Sequence, residues 1–365
     1  MDNKKKNLII IIGIALVVII IIIIVISSLS GGSSKKLTYK ELEQKIKEVG
    51  EEYYKENTSL LPKNDGDTRQ ISVDDLVKLE LMKPIDELLA EDATCKGTLT
   101  VKKEKGKYFY VPLLDCGDDY ITSELYKKII DDNKVVESGN GLYLQENIYT
   151  FRGENLNNYV KLSDKKWRIV SIDAEGNLKL ILDTEMETAV PWDDRYNGDR
   201  QYTSGINDYS VSRIKDQLNE LYESDDLLDE NAKKLVVSKD FCVSGKNKND
   251  KISVIDCEKY VENINIGLLN INEYTNASID PKCETVSSKE CQNYNYLKAN
   301  DSSSGWWTMT PNKENTYEVF YIENSGTVDI KSCSSYSKIK PVIYINKDIM
   351  FSEGNGTKDK PYVIE

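Results

Sequence analysis

Residues Leu8 to Ile26 read LIIIIGIALVVIIIIIIVI, and the reading of this stretch decides the fold expected of the whole chain. It holds no charge, one glycine and one alanine among isoleucines, leucines and valines. As a helix it would span roughly 28 Å at about 1.5 Å per residue, the thickness of a bilayer's hydrocarbon core. A cleaved secretory signal has a shorter apolar core and a small-x-small cleavage site, which Ser27-Ser28-Leu29-Ser30 supplies poorly. The stretch therefore predicts a transmembrane helix over 8–26. Residues 1–7 become a cytoplasmic tail, and residues 27–36 (SSLSGGSSKK) a flexible spacer.

Charge sets the orientation only weakly, because Lys4, Lys5 and Lys6 before the apolar run are matched by Lys35, Lys36 and Lys40 after it. The cysteines decide it. Cys95 and Cys116 bracket a hairpin-like stretch, Cys242 and Cys257 a lysine-rich loop, and Cys283 and Cys291 a short turn. Local couples of this kind suit an oxidising exterior, so three disulfides and an extracellular location for residues 27–365 are expected. The seventh cysteine, Cys333, is open to two readings, a reactive thiol or a partner for Cys283 or Cys291.

Working outward, the exterior part is long enough for two domains with cores of their own. Setting aside the three lysines and one aspartate of residues 1–26, the 48 basic and 61 acidic residues become 45 against 60, a balance of −15. Nucleic acid and anionic lipid headgroups need a basic face, so neither is expected as a partner of the exterior part. The absence of histidine removes Ser-His-Asp and Cys-His catalysis and histidine-ligated zinc. No catalytic residue, metal ligand or cofactor is predicted.

Residues 37–134 read as a small disulfide-closed α+β domain. Thr38 and Glu41 form a capping box ahead of a helix with Leu42, Ile46, Val49 and Tyr53 on one face, weakened by Gly50 and ended by Asn57. Ser72 and Asp75 open a second short helix. Thr98–Val101 and Tyr108–Leu114 are strands joined by a Lys103-Glu104-Lys105-Gly106 turn, with Cys95 and Cys116 at their outer ends. The order long helix, Leu60-Leu61-Pro62 turn, short helix, cystine-closed hairpin resembles type IV pilin-like proteins over residues 8–120. The chain lacks that family's glycine, aromatic-Thr-Leu-Ile-Glu pattern before the apolar run, so the resemblance implies a domain shape and not filament assembly.

Residues 135–365 read as strand-rich. Tyr149–Phe151, Tyr159–Leu162 and Trp167–Val170 are strands, followed by strict alternation of Leu178, Leu180 and Leu182. Asn270 and Glu273 cap a helix after Ile266-Gly267-Leu268-Leu269. Then come Trp306-Trp307-Thr308, Val319–Ile322, Lys340-Pro341-Val342-Ile343, and a tail with Gly354-Asn355-Gly356-Thr357 and Pro361-Tyr362. This order, with Asn157-Asn158-Tyr159-Val160 and Trp167-Arg168-Ile169 upstream, resembles a family of bacterial surface domains of unknown function. More remotely it resembles the C-type-lectin-like fold of formylglycine-generating enzymes. The expected fold class is therefore α+β: a transmembrane helix, a pilin-like domain and a lectin-like domain.

Two candidate ligand sites stand out. Trp192, Asp193, Asp194 and Arg195, followed by Tyr196, place an indole, two carboxylates, a guanidinium and a phenol together, a composition suited to a polyol or to an ion-paired loop. Trp306 and Trp307 are adjacent, so in a strand the two indoles face opposite ways; either both support the core and hold the sheet, or one lines a ligand surface. The expectation is a non-catalytic, single-pass surface protein binding an extracellular glycan, cell-wall or protein ligand. A structural component related to pilin-like systems and an extracellular modifying enzyme are the alternatives.

Overall fold

The computed structural model describes residues 36–104, 106–117, 119–195, 205–253, 257–298 and 305–364. The transmembrane helix predicted over 8–26 lies outside them. Among the described residues no helix is long and apolar enough to cross a membrane. The fold class is corrected accordingly. The described chain is mostly sheet with few helices, and its 18-residue longest helix, YKELEQKIKEVGEEYYKE, has only one apolar face. The chain forms two compact units, the first reaching Thr122 and the second running from Ser123.

The first unit contains α1 (Tyr39–Glu56), β1 (Thr68–Ser72), α2 (Val73–Lys78), α3 (Ile85–Leu88), β2 (Lys96–Glu104) and β3 (Lys107–Asp115). The strands form an antiparallel sheet in the order β1-β2-β3. Both reciprocal bonds of the Thr38–Glu41 capping box are made, and Asn57 closes α1. The buried face of α1 is Leu42, Ile46, Gly50 and Tyr54, with Val49 and Tyr53 at its margin. Gly50 is thus a contact point and not only a weak spot. A Cβ there would lie 2.0 Å from Cδ2 of the fully buried Leu99. Glu43, also buried, accepts from Lys40 at 2.7 Å, from the Tyr120 hydroxyl at 2.9 Å and from Thr122.

The second unit begins earlier than residue 135. Its α4 (Leu125–Asp132) buries Leu125 and Ile129 in the second core, and backbone bonds link Leu125 N–H to Ile349 and Phe351 N–H to Ser123. The strands that follow are β4 (Gly141–Gln145), β5 (Ile148–Arg152), β6 (Tyr159–Leu162), β7 (Lys165–Ile172), β8 (Leu178–Leu182) and β9 (Val190–Pro191). Then come α5 (Arg213–Glu223), α6 (Glu230–Leu235), β10 (Lys239–Cys242), β11 (Tyr260–Ile264), β12 (Ile266–Gly267) and α7 (Ile271–Asn276). The chain ends with β13 (Trp306–Pro311), β14 (Glu318–Ile322), β15 (Val328–Ser332), β16 (Tyr336–Ser337), β17 (Val342–Ile345) and β18 (Tyr362–Val363).

The main sheet runs β12-β17-β8-β7-β5-β4, with β6 also on β7 and β18 parallel to β6. β13-β14-β15 form a second sheet, and β10-β11 and β9-β16 are two-stranded. The tail closes onto the start of the unit. Tyr159 donates its N–H to the Gly356 carbonyl at 2.9 Å. Gly356 has φ +73°, and a Cβ there would meet the Asn157 carbonyl oxygen at 2.2 Å, so only glycine fits. Three disulfides join Cys95–Cys116, Cys242–Cys257 and Cys283–Cys291, as the spacing predicts.

Candidate functional site

Four strands of the main sheet place one residue each in a single cross-strand row. Thr150 of β5 faces Ser171 of β7, Ser171 faces Lys179 of β8, and Lys179 faces Tyr344 of β17. This row lines a cleft of about 260 Å³. One wall is the head of α7, with Asn270, Asn272 and Glu273, and another is the β10–β11 hairpin with Asp240, Tyr260 and the Cys242–Cys257 disulfide. Gln145, Glu146 and Ile148 of the β4–β5 hairpin complete the lip.

Lys179 is the hub. Its side chain is almost wholly buried and donates to Glu273, and its ammonium lies 5.2 Å from the Phe241 ring centre and 5.3 Å from that of Tyr344. Burial pushes the Lys179 amine down, but the Glu273 carboxylate and the Tyr344 phenol more than offset this and hold it raised. Glu273 serves twice. One oxygen neutralises Lys179, and the other accepts the Asn270 N–H at 3.0 Å, closing the cap of α7. Asn270 in turn accepts the Asn272 N–H at 2.9 Å and donates its amide to the Cys242 carbonyl at 3.3 Å. Burial raises Asp173, but hydrogen bonds from Asn177 and Lys239 outweigh it and keep its carboxyl below the ordinary range.

With these charges matched internally, one polar group stands out. Asn272 lines the cleft and is 3% exposed, and its Oδ1 is buried without a hydrogen-bond partner. Such an oxygen has lost its water without gaining a donor, which is unfavourable unless something else supplies one. The cleft thus combines a balanced polar floor, an unsatisfied amide, and apolar or aromatic contacts from Ile148, Val170 and Tyr260. Tyr260 is about half exposed at the lip. An arrangement of this kind orients a polar ligand through hydrogen bonds and holds it by ring contact.

The residues singled out from sequence lie elsewhere and are not gathered on one surface. Trp192 is fully buried and donates Nε1–H to the Thr308 carbonyl at 3.1 Å. Asp193 is also fully buried and accepts from Arg195 Nε at 2.8 Å and from the Ile206 N–H at 2.9 Å. Asp194 pairs with Arg213 at 2.5 Å. The segment is an ion-paired loop, and Tyr196 falls outside the described residues. Trp306 and Trp307 are both fully buried, so both support the core and neither lines a ligand surface. Trp306 packs edge-on against Tyr274, and Trp307 packs against Tyr321 and donates to the Val190 carbonyl at 2.8 Å. Both faces of β13 are covered, so alternation along the strand exposes neither ring.

Lys179 was hidden by the same rule. As the polar position between Leu178 and Leu180 it reads as solvent-facing, yet every residue of β8 is buried. Of the cleft residues, Asn270 and Glu273 carry a sequence signal in their capping box, which is made, and Cys242 and Cys257 in their spacing. Among the described residues no group of three or more His, Cys, Asp or Glu could hold a metal ion. Compared with protein-family models, curated proteins and solved structures, the chain matches none.

Proposed function

We propose that the protein is a cell-surface binding protein whose second unit takes an extracellular ligand, a glycan or cell-wall polymer, into the cleft above Lys179 without chemical turnover. The observation that carries the reading is the juxtaposition of an internally neutralised Lys179–Glu273 pair with the unpartnered Asn272 oxygen. The pair holds the floor rigid, and the amide is left for a guest. The extracellular location is supported by three disulfides that close loops of 21, 15 and 8 residues' separation, a pattern suited to an oxidising compartment. Residues 8–26 are the part of the chain apolar enough to hold it to a membrane.

The test is a glycan and peptidoglycan array probed with the purified full-length protein and with Lys179→Met and Tyr260→Ala variants. Binding by the parent protein that both variants weaken by about tenfold or more supports the cleft as the site. Array binding that survives both substitutions overturns it.

A further inference from the structure

We propose that the cleft selects a sugar bearing an acetamido group, with the Asn272 carboxamide as the specificity-determining contact. This rests on the reading of the cleft as a ligand site. Asn272 stands in the first turn of α7, where its backbone N–H is already given to Asn270 and only its side chain remains to meet a ligand. The buried Oδ1 needs an N–H donor. A secondary amide supplies that donor, together with a carbonyl to receive the Asn272 Nδ2–H, so both halves of the carboxamide are matched at once.

The charges around it narrow the class. Among the described residues, Lys179 is the single cation lining the cleft, against Glu146, Asp173, Asp240 and Glu273. That excess of carboxylates disfavours phosphate and other anionic guests. A free amino sugar would offer the Asn272 Oδ1 a donor but would leave the Nδ2–H without the carbonyl that a secondary amide supplies. The acetamido group meets both requirements. The carboxylates and the Thr150 and Ser171 hydroxyls offer several acceptors, which a ring with many hydroxyl donors satisfies better than a peptide offering N–H groups alone. The Tyr260 ring at the lip and the apolar Ile148 suit the C–H face of a pyranose and the acetamido methyl. At about 260 Å³ the cleft is smaller than a drug-sized pocket and accommodates one such ring and its substituent.

The experiment is calorimetric titration of the full-length protein with triacetylchitotriose, its fully deacetylated form, maltotriose and a blocked dialanine peptide. Triacetylchitotriose is expected to bind at least about tenfold more tightly than the other three. Asn272→Leu and the near-isosteric Asn272→Asp are each expected to remove that margin, with an unchanged thermal transition of N272D as the check on folding. Equal binding of acetylated and unacetylated trioses, preference for the peptide, or an undiminished margin in both variants overturns the proposal. If no triose binds while Tyr260→Ala still abolishes binding to cell-wall material, the acetamido assignment falls and the cleft stands. If cell-wall binding ignores the cleft substitutions, both fall.

Discussion

Lys340 is a buried cation of a different kind from Lys179. It is 4% exposed, and its ammonium lies 5.6 Å from the Trp306 ring centre. Burial pushes its amine down to about 8, with Arg168 adding to the effect and Glu185 and Asp183 opposing it. In the unfolded chain the same amine titrates near its ordinary value of 10.5. Between these limits the unfolded state binds more protons, so this group makes stability rise with pH from about 8 toward 10.5 and imposes its full penalty below about 8. Lys340→Met keeps the stem and removes the charge. It should stabilise the protein at pH 7 by on the order of 2 kcal/mol. That advantage should shrink as pH climbs from 8 to 10, measured by urea unfolding of both proteins at each pH. An advantage independent of pH would show that the folded amine titrates near its ordinary value and is well solvated.

At the scale of elements, α1 and the cystine hairpin set the first unit. Gly50→Ala puts a methyl into Leu99, whose side chain is enclosed by the same core. The expected loss is about 1–3 kcal/mol from overpacking, despite alanine's better helix propensity, and is read from the unfolding midpoint. Cys95→Ser with Cys116→Ser opens the loop closed by the 21-residue separation and should cost about 3 kcal/mol. A reducing agent should shift the parent protein's transition toward the double variant's. These local features were readable because each is written in neighbouring residues. The Thr38–Glu41 and Asn270–Glu273 boxes span four residues each, and β2 and β3 pair from Lys96↔Asp115 to Glu104↔Lys107 around one turn. The cleft was not readable, because Thr150, Ser171, Lys179 and Tyr344 come together only through the register of four strands. The paired tryptophans left two readings open for the same reason. Alternation states that two neighbours face opposite ways, and says nothing of what covers each side. The domain boundary slipped because Leu125 and Ile129 look like the end of one hydrophobic series while their partners come much later in the chain.

For the whole molecule, the two cores are separate sets of residues, one ending at Cys116 and the other beginning at Leu125. Every residue lining the cleft, from Gln145 to Tyr344, belongs to the second unit. A fragment of residues 123–365 is therefore expected to fold alone, with a cooperative thermal transition, native-like near-UV circular dichroism and undiminished ligand affinity. Loss of cooperativity in that fragment would mean that the first unit completes the second core.

The parallel seating of β18 on β6 has a kinetic corollary. Tyr362 of that strand also donates its hydroxyl to Asp132 of α4, a contact between groups 230 residues apart in sequence. Loop closure of that span cannot begin until Tyr362 has left the ribosome, and chains dominated by such distant pairings fold slowly. During synthesis α4 and β6 therefore wait without their last neighbour until the end of the second unit has emerged.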